Sequence, residues 1–292
     1  MQTIDMATTE RLQPQDLLLT LLGNELLHQP DHKVWSGGLI AALGDHGFSA
    51  VGARAATSRL ANRGLLDRSQ TGREVFYRLS ERAVAALTEG ERRILEFSTG
   101  TEPTDIWTML TYALSPAQRS RRDRLRRRLS FLGYGSHRDG MWIAPGDRVA
   151  DTDPVLQELG LSHDVEMFVG APAITTDVGR LVRSAWGHLD ALGSRYEAFS
   201  ARWSNMSRRG DHLTARTLLM HEWRTFPTLD PGLPDYLVQW APERTDAAET
   251  FRRQWHHLAP GATARFAQLC RTDTQVSPPT SPPPAASIEA NP

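Results

Sequence analysis

Residues 47–79 read GFSAVGARAATSRLANRGLLDRSQTGREVFYRL, and the reading of this stretch decides the fold. Ser49 carries a hydroxyl that can accept from an orphan amide of a starting helix, which makes it the N-cap. From there small apolar and polar residues alternate at helical spacing as far as Arg63-Gly64. Ala53, Ala56 and Leu60 share one face, because residues three and four apart stack on a helix. Arg54, Thr57, Ser58 and Ala61 are expected on the other, offering a fork-shaped donor and two hydroxyls of the kind that meet base edges and phosphates. Leu65-Leu66 and Val75-Phe76-Tyr77 then read as a hairpin turning at residues 69–72, lined by Arg68, Arg73 and Arg78. A helix able to enter a major groove, followed by a basic hairpin, is the winged helix-turn-helix pattern.

An Ala-rich helix with scattered arginines is, taken alone, equally a solvated surface helix. What precedes it separates the two readings. Residues 14–27 carry an apolar run for a first helix, Val34-Trp35 a short extended piece, and residues 36–43 a second helix ended by Gly44, with Gly47 turning the chain into the third.

Downstream, residues 80–97 read as a helix leading into a linker at 98–103. Residues 105–114 form an apolar strand, and residues 116–132 a helix with proline in its first turn. A second strand near residues 136–144 bends at Asp139-Gly140, residues 149–161 hold another helix and residues 164–170 another strand. That order suits a small ferredoxin-like domain. From Thr175 the chain is helical, with Trp186, Tyr196, Phe199 and Trp203 forming an aromatic stripe that reads first as core. Residues 213–226 form a further helix, stopped by an extended Pro-rich segment at 227–234. The last helices lie within residues 245–270, interrupted at Pro260-Gly261. The fold class is thus α+β, with a winged helix-turn-helix over 12–97, a ferredoxin-like domain over 103–174, a helical domain over 175–272 and a disordered Pro-rich tail over 273–292.

The most basic run, RSRRDRLRRR at residues 119–128, lies in the helix of the middle domain. Leu125 and Leu129 mark its buried stripe, while Arg121, Arg124 and Arg128 fall on one outer face. Guanidinium groups so close repel one another unless anions sit among them, so the run reads either as a phosphate-binding surface, for DNA backbone or a coenzyme A thioester, or as a solvated face.

Composition bounds the rest. The 292 residues exceed one small domain, and the net charge of -1 conceals arginines crowded into the first half. A single cysteine, Cys270, excludes an internal disulfide and a multi-thiolate zinc site. No apolar targeting segment is visible, so a cytoplasmic protein is expected.

Together these pieces resemble the PaaX-type transcriptional repressors, which control bacterial phenylacetate catabolism. The carriers are Arg54 and Ser58-Arg59-Leu60, Gly72-Arg73 and Tyr77-Arg78-Leu79, then Arg121, Arg124, Leu125, Leu129, Leu132-Gly133-Tyr134-Gly135 and Trp142-Ile143-Ala144-Pro145. Further on they are Trp186, Tyr196, Phe199, His221-Glu222-Trp223-Arg224 and Asp230-Pro231-Gly232-Leu233-Pro234. The resemblance implies a homodimeric repressor on double-stranded operator DNA, released by phenylacetyl-coenzyme A or another acyl-coenzyme A. It needs no cofactor, catalytic residue or metal. It implies DNA contacts from Arg54, Thr57, Ser58, Arg59, Arg68 and Arg73. The effector would sit between the middle and C-terminal domains, on Arg121, Arg124, Arg128, Trp186, Tyr196, Trp223, His221 and Arg224. After Leu237 the family usually has a Leu-Pro-x-x-Trp stretch where this chain has Val238-Gln239-Trp240-Ala241, which leaves the effector's identity open.

The alternative is a metal-dependent nuclease-like or nucleic-acid-processing protein built on the ferredoxin-like domain; a nuclease of that kind would end its first strand in an aspartate. Here it ends Thr111-Tyr112-Ala113-Leu114-Ser115, without a carboxylate. His221-Glu222 is not a zinc-peptidase motif, since position 225 is threonine. His256-His257, being adjacent, point to different helix faces.

Overall fold

The computed structural model describes residues 12–99, 105–173, 175–187, 189–204 and 211–270. Most of the expected linker at 98–103 and all of the expected tail at 273–292 lie outside them. Among the described residues eighteen α-helices and β-strands follow one another, beginning with α1 (Pro14–Leu26), β1 (Val34–Trp35), α2 (Ser36–Asp45), α3 (Ala50–Asn62), β2 (Leu66–Thr71), β3 (Glu74–Leu79) and α4 (Glu81–Thr99). The middle holds β4 (Trp107–Tyr112), α5 (Arg119–Phe131), β5 (Gly135–Arg138), β6 (Met141–Pro145), α6 (Val149–Leu159) and β7 (Val165–Gly170). Helices α7 (Val178–Ala185), α8 (Leu192–Ser204), α9 (His212–Trp223), α10 (Phe226–Leu229) and α11 (Ala241–Leu269) complete it.

Two small antiparallel sheets result, ordered β1-β3-β2 and β5-β6-β4-β7. In the second, alternation sends Leu110 of β4 and Trp142 and Ala144 of β6 to one face, where Leu125 and Leu129 of α5 and Leu156 and Leu159 of α6 cover them. Trp107 and Ile143 go to the opposite face and join Trp186, Tyr196, Phe199, Trp223 and Phe251 of the C-terminal helices. The sheet is therefore a wall between α5 and the aromatic cluster.

The first core crosses the sequence more widely. Leu17, Leu21, Leu39, Leu43, Ala53 and Leu60 of α1 to α3 are closed over by Leu213 of α9 and by Ala262, Phe266 and Cys270 at the end of α11. At Gly38 the approach is so close that a Cβ would lie 2.2 Å from the carbonyl oxygen of Leu269. Helix α11 does not break at Pro260-Gly261. Pro260 lies on the exposed side, where losing one backbone donor is tolerated. Gly261 is needed because a Cβ there would collide with His212 at 2.0 Å.

Candidate nucleic-acid interface

Ser49 caps α3 by accepting from the Gly52 amide at 3.2 Å, and the helix then lays Ala53, Ala56 and Leu60 against α1 and α2. That burial fixes which side faces out. Arg54 and Ser58 are exposed, as is Asn62 one further turn along. Arg59 is exposed as well, and its Nε donates to Gln15 of α1 at 3.0 Å. Thr57 is a correction: it is buried, and its hydroxyl donates to the Ala53 carbonyl at 3.0 Å. Its place one position before Ser58 rotates it onto the side of Ala53 and Leu60, where a threonine satisfies its hydroxyl within its own helix.

The hairpin is longer than its apolar residues suggest, and it turns at Gly72-Arg73 rather than at residues 69–72. Residues Arg68 to Thr71 belong to β2, with Arg68 opposite Tyr77 and Thr71 opposite Glu74. Arg68 and Arg73 are exposed, whereas Arg78 is paired with Asp67 at 2.9 Å and Asp31 at 3.5 Å. Among the described residues, Arg54, Arg68 and Arg73 have no acidic partner. Between the end of α3 and the hairpin lies a cleft of about 910 Å³ lined by Lys33, Asn62, Asp67, Arg68, Ser69 and Arg78. Lys33 was not legible in the sequence as part of this surface. It arrives there because β1, which it precedes, pairs with β3.

Three family models match the chain: PaaX-like protein over residues 13–83, PaaX protein central Cas2-like domain over 101–182, and PaaX-like protein C-terminal domain over 186–268. The chain belongs to the PaaX family. The transcriptional repressor PaaX of Escherichia coli (strain K12) is 27% identical over 240 residues, covering 77% of this chain and 74% of that protein. The uncharacterized protein Rv0674 from Mycobacterium tuberculosis has a similar fold, with a TM-score of 0.57, 19% identity, and coverage of 85% of this chain and 96% of its own.

In this PaaX-type chain the residues expected to hold an effector fall into three separate places. Arg121, Arg124 and Arg128 are exposed on α5, and Arg128 bonds Glu158 of α6 at 2.5 Å. Trp186, Tyr196 and Trp223 are buried on the far side of the four-stranded sheet. Their rings pack on one another and on neighbours: Tyr196 stacks on Phe226 at 4.4 Å, and Trp223 on Phe251 at 4.8 Å. The Tyr196 hydroxyl donates to Asp230 at 2.7 Å, and Arg244 holds the same carboxylate at 3.3 Å. These aromatic residues build the core. The expectation that one ligand spans them and the α5 arginines is corrected by the intervening strands.

His221 and Arg224 occupy the third place, the seam between α9 and α1. His221 Nδ1 lies 3.2 Å from the Thr20 hydroxyl and accepts from Arg224 at 3.3 Å. Burial, reinforced by the Arg224 charge, pushes the imidazole down to about 4. Trp223 lies in the second core, away from this seam. Among the described residues no three His, Cys, Asp or Glu side chains gather closely enough to hold a metal ion, and no helix is long and apolar enough to cross a membrane.

Proposed function

We propose that this chain is a dimeric transcriptional repressor that reads double-stranded operator DNA, with α3 in the major groove and the β2–β3 hairpin as a basic wing. The observation that carries it is the exposed pair Arg54 and Ser58 on a helix whose other side is buried, beside Arg68 and Arg73. Exposed donors on α3 and on the adjoining hairpin, with Arg54, Arg68 and Arg73 free of acidic partners among the described residues, suit a polyanion with readable edges. The order helix, strand, two helices and hairpin supports a winged helix-turn-helix. The strand order β5-β6-β4-β7, with α5 and α6 on one face, supports a ferredoxin-like middle domain. Dimerisation follows from specificity, since one such module covers too few base pairs to be found in a genome.

An aryl- or acyl-coenzyme A as releasing effector belongs to the same proposal, supported by the family resemblance. To release DNA, such a ligand must prefer the DNA-incompetent state. The experiment is selection of bound duplexes from a random pool by the full-length protein, followed by titration with phenylacetyl-coenzyme A. Enrichment of an inverted repeat that the ligand displaces is the expected result; no enriched sequence would refute DNA reading, and an enriched site indifferent to every acyl-coenzyme A would refute the effector alone.

A further inference from the structure

In the first turn of α3, on its exposed face, stands an apolar side chain. Val51 is 75% exposed, the most open of the large apolar residues described. It precedes Arg54 by three positions and Ser58 by seven, so the three form one stripe, opposite Ala53, Ala56 and Leu60. The helix does not need valine here, because β-branching lowers helix propensity and alanine is used at Ala50, Ala53, Ala55 and Ala56. The core does not need it either. An exposed isopropyl group in a polar stripe gains only where it meets another apolar surface. In unmodified DNA the one apolar group on a major-groove base edge is the C5 methyl of thymine.

We infer that Val51 is a specificity-determining residue that packs against the C5 methyl of a thymine, next to the base that Arg54 reads. This rests on the DNA-reading function proposed above. The placement suits it, because the first turns of a recognition helix are the part that contacts base edges, and Val51 lies in the first turn behind the Ser49 cap. Arg54, one turn on, carries the fork that matches guanine O6 and N7. The preferred site therefore holds a thymine beside the guanine read by Arg54.

The test uses the duplex selected by the full-length protein, with each thymine replaced in turn by deoxyuridine, which deletes only the methyl group. Wild-type protein and Val51→Ala are titrated against the set by gel shift. At one thymine per half-site, uracil is expected to weaken the wild-type protein about fourfold, the weight of one buried methyl-sized group, while Val51→Ala binds both duplexes alike. Because Val51 is exposed, circular dichroism of the variant should match the wild type. Equal uracil penalties in the two proteins, or no penalty at any thymine, would overturn the inference while DNA binding stood. Failure to enrich any duplex would overturn the DNA-binding reading, and this one with it.

Discussion

Arg216 of α9 donates to Glu25 of α1 at 2.7 Å, across 191 residues of sequence, with the two side chains only 10% and 2% exposed. Thr263 of α11 donates to the same carboxylate at 3.2 Å, and the Arg216 guanidinium lies 3.7 Å over the Trp255 ring. One ion pair thus ties the N-terminal helices to two helices of the C-terminal bundle. Removing one partner strands a buried charge, so Arg216→Ala is expected to lower stability by about 3–5 kcal/mol. Replacing both, as Glu25→Leu with Arg216→Met, should cost much less. Urea unfolding followed by tryptophan fluorescence measures both; a wild-type midpoint for Arg216→Ala would show that the clamp lies elsewhere.

Arg54→Ala should weaken binding to the selected duplex by about 1–3 kcal/mol and relax preference at one base pair, whereas Arg68→Ala and Arg73→Ala should weaken all duplexes and each lower the salt slope by roughly one unit. Titration across a series of potassium chloride concentrations separates the two behaviours. An Arg54→Ala protein with unchanged affinity would mean that α3 presents another face.

The neighbours Thr57 and Ser58 should part company. Thr57 is buried with its hydroxyl bonded to Ala53, so Thr57→Ala is expected to lower stability by about 1 kcal/mol while sparing affinity among the folded molecules. Ser58 is exposed, and Ser58→Ala should do the reverse. Melting temperature and gel shift, run on both variants, decide it.

How much of this interface the sequence discloses depends on how local the cause is. The cap at Ser49, the apolar spacing of α3 and the two-residue strand β1 come from neighbours along the chain, and the expected bounds differ little from the observed ones. The hairpin turn was displaced because Ser69, Gln70 and Thr71 alternate no apolar residues; only pairing with β3 makes them a strand. Likewise the expected bent strand over 136–144 is the hairpin β5–β6. Helix α2 runs through Gly44 to Asp45, with Leu39, Ala42 and Leu43 anchored in the core. Least legible was whether the residues expected to hold an effector would meet. Composition puts arginines and aromatic rings in successive domains, but the side of a sheet each meets is settled by tertiary packing.

Acid should destabilise the protein through the seam between α9 and α1. His221 is held near 4 and His46 is also lowered, in both cases chiefly by burial, against an ordinary value of 6.5. The unfolded chain therefore takes up protons more readily. Stability from these residues is fully present above about pH 6.5 and is lost as pH falls toward about 4. Asp16, Arg224 and His46 are the charges His221 feels, so His221→Gln should flatten the decline without removing it. Melting temperatures of both proteins across that range provide the check; parallel profiles would place the acid sensitivity in other groups.

Helix α11 completes the core on which α3 rests, through a seam whose Thr263 and Glu25 stand 238 residues apart. A ribosome releases α3 well before α11, so the usual sequence in which an N-terminal module finishes folding while the rest is still being made does not apply. A nascent or truncated chain leaves uncovered the part of that core where Ala262 and Phe266 belong. Such a chain lacks part of the packing that holds α3 in position, so, on the function proposed above, an unfinished copy is expected to be a poor competitor for the duplex that the complete protein selects.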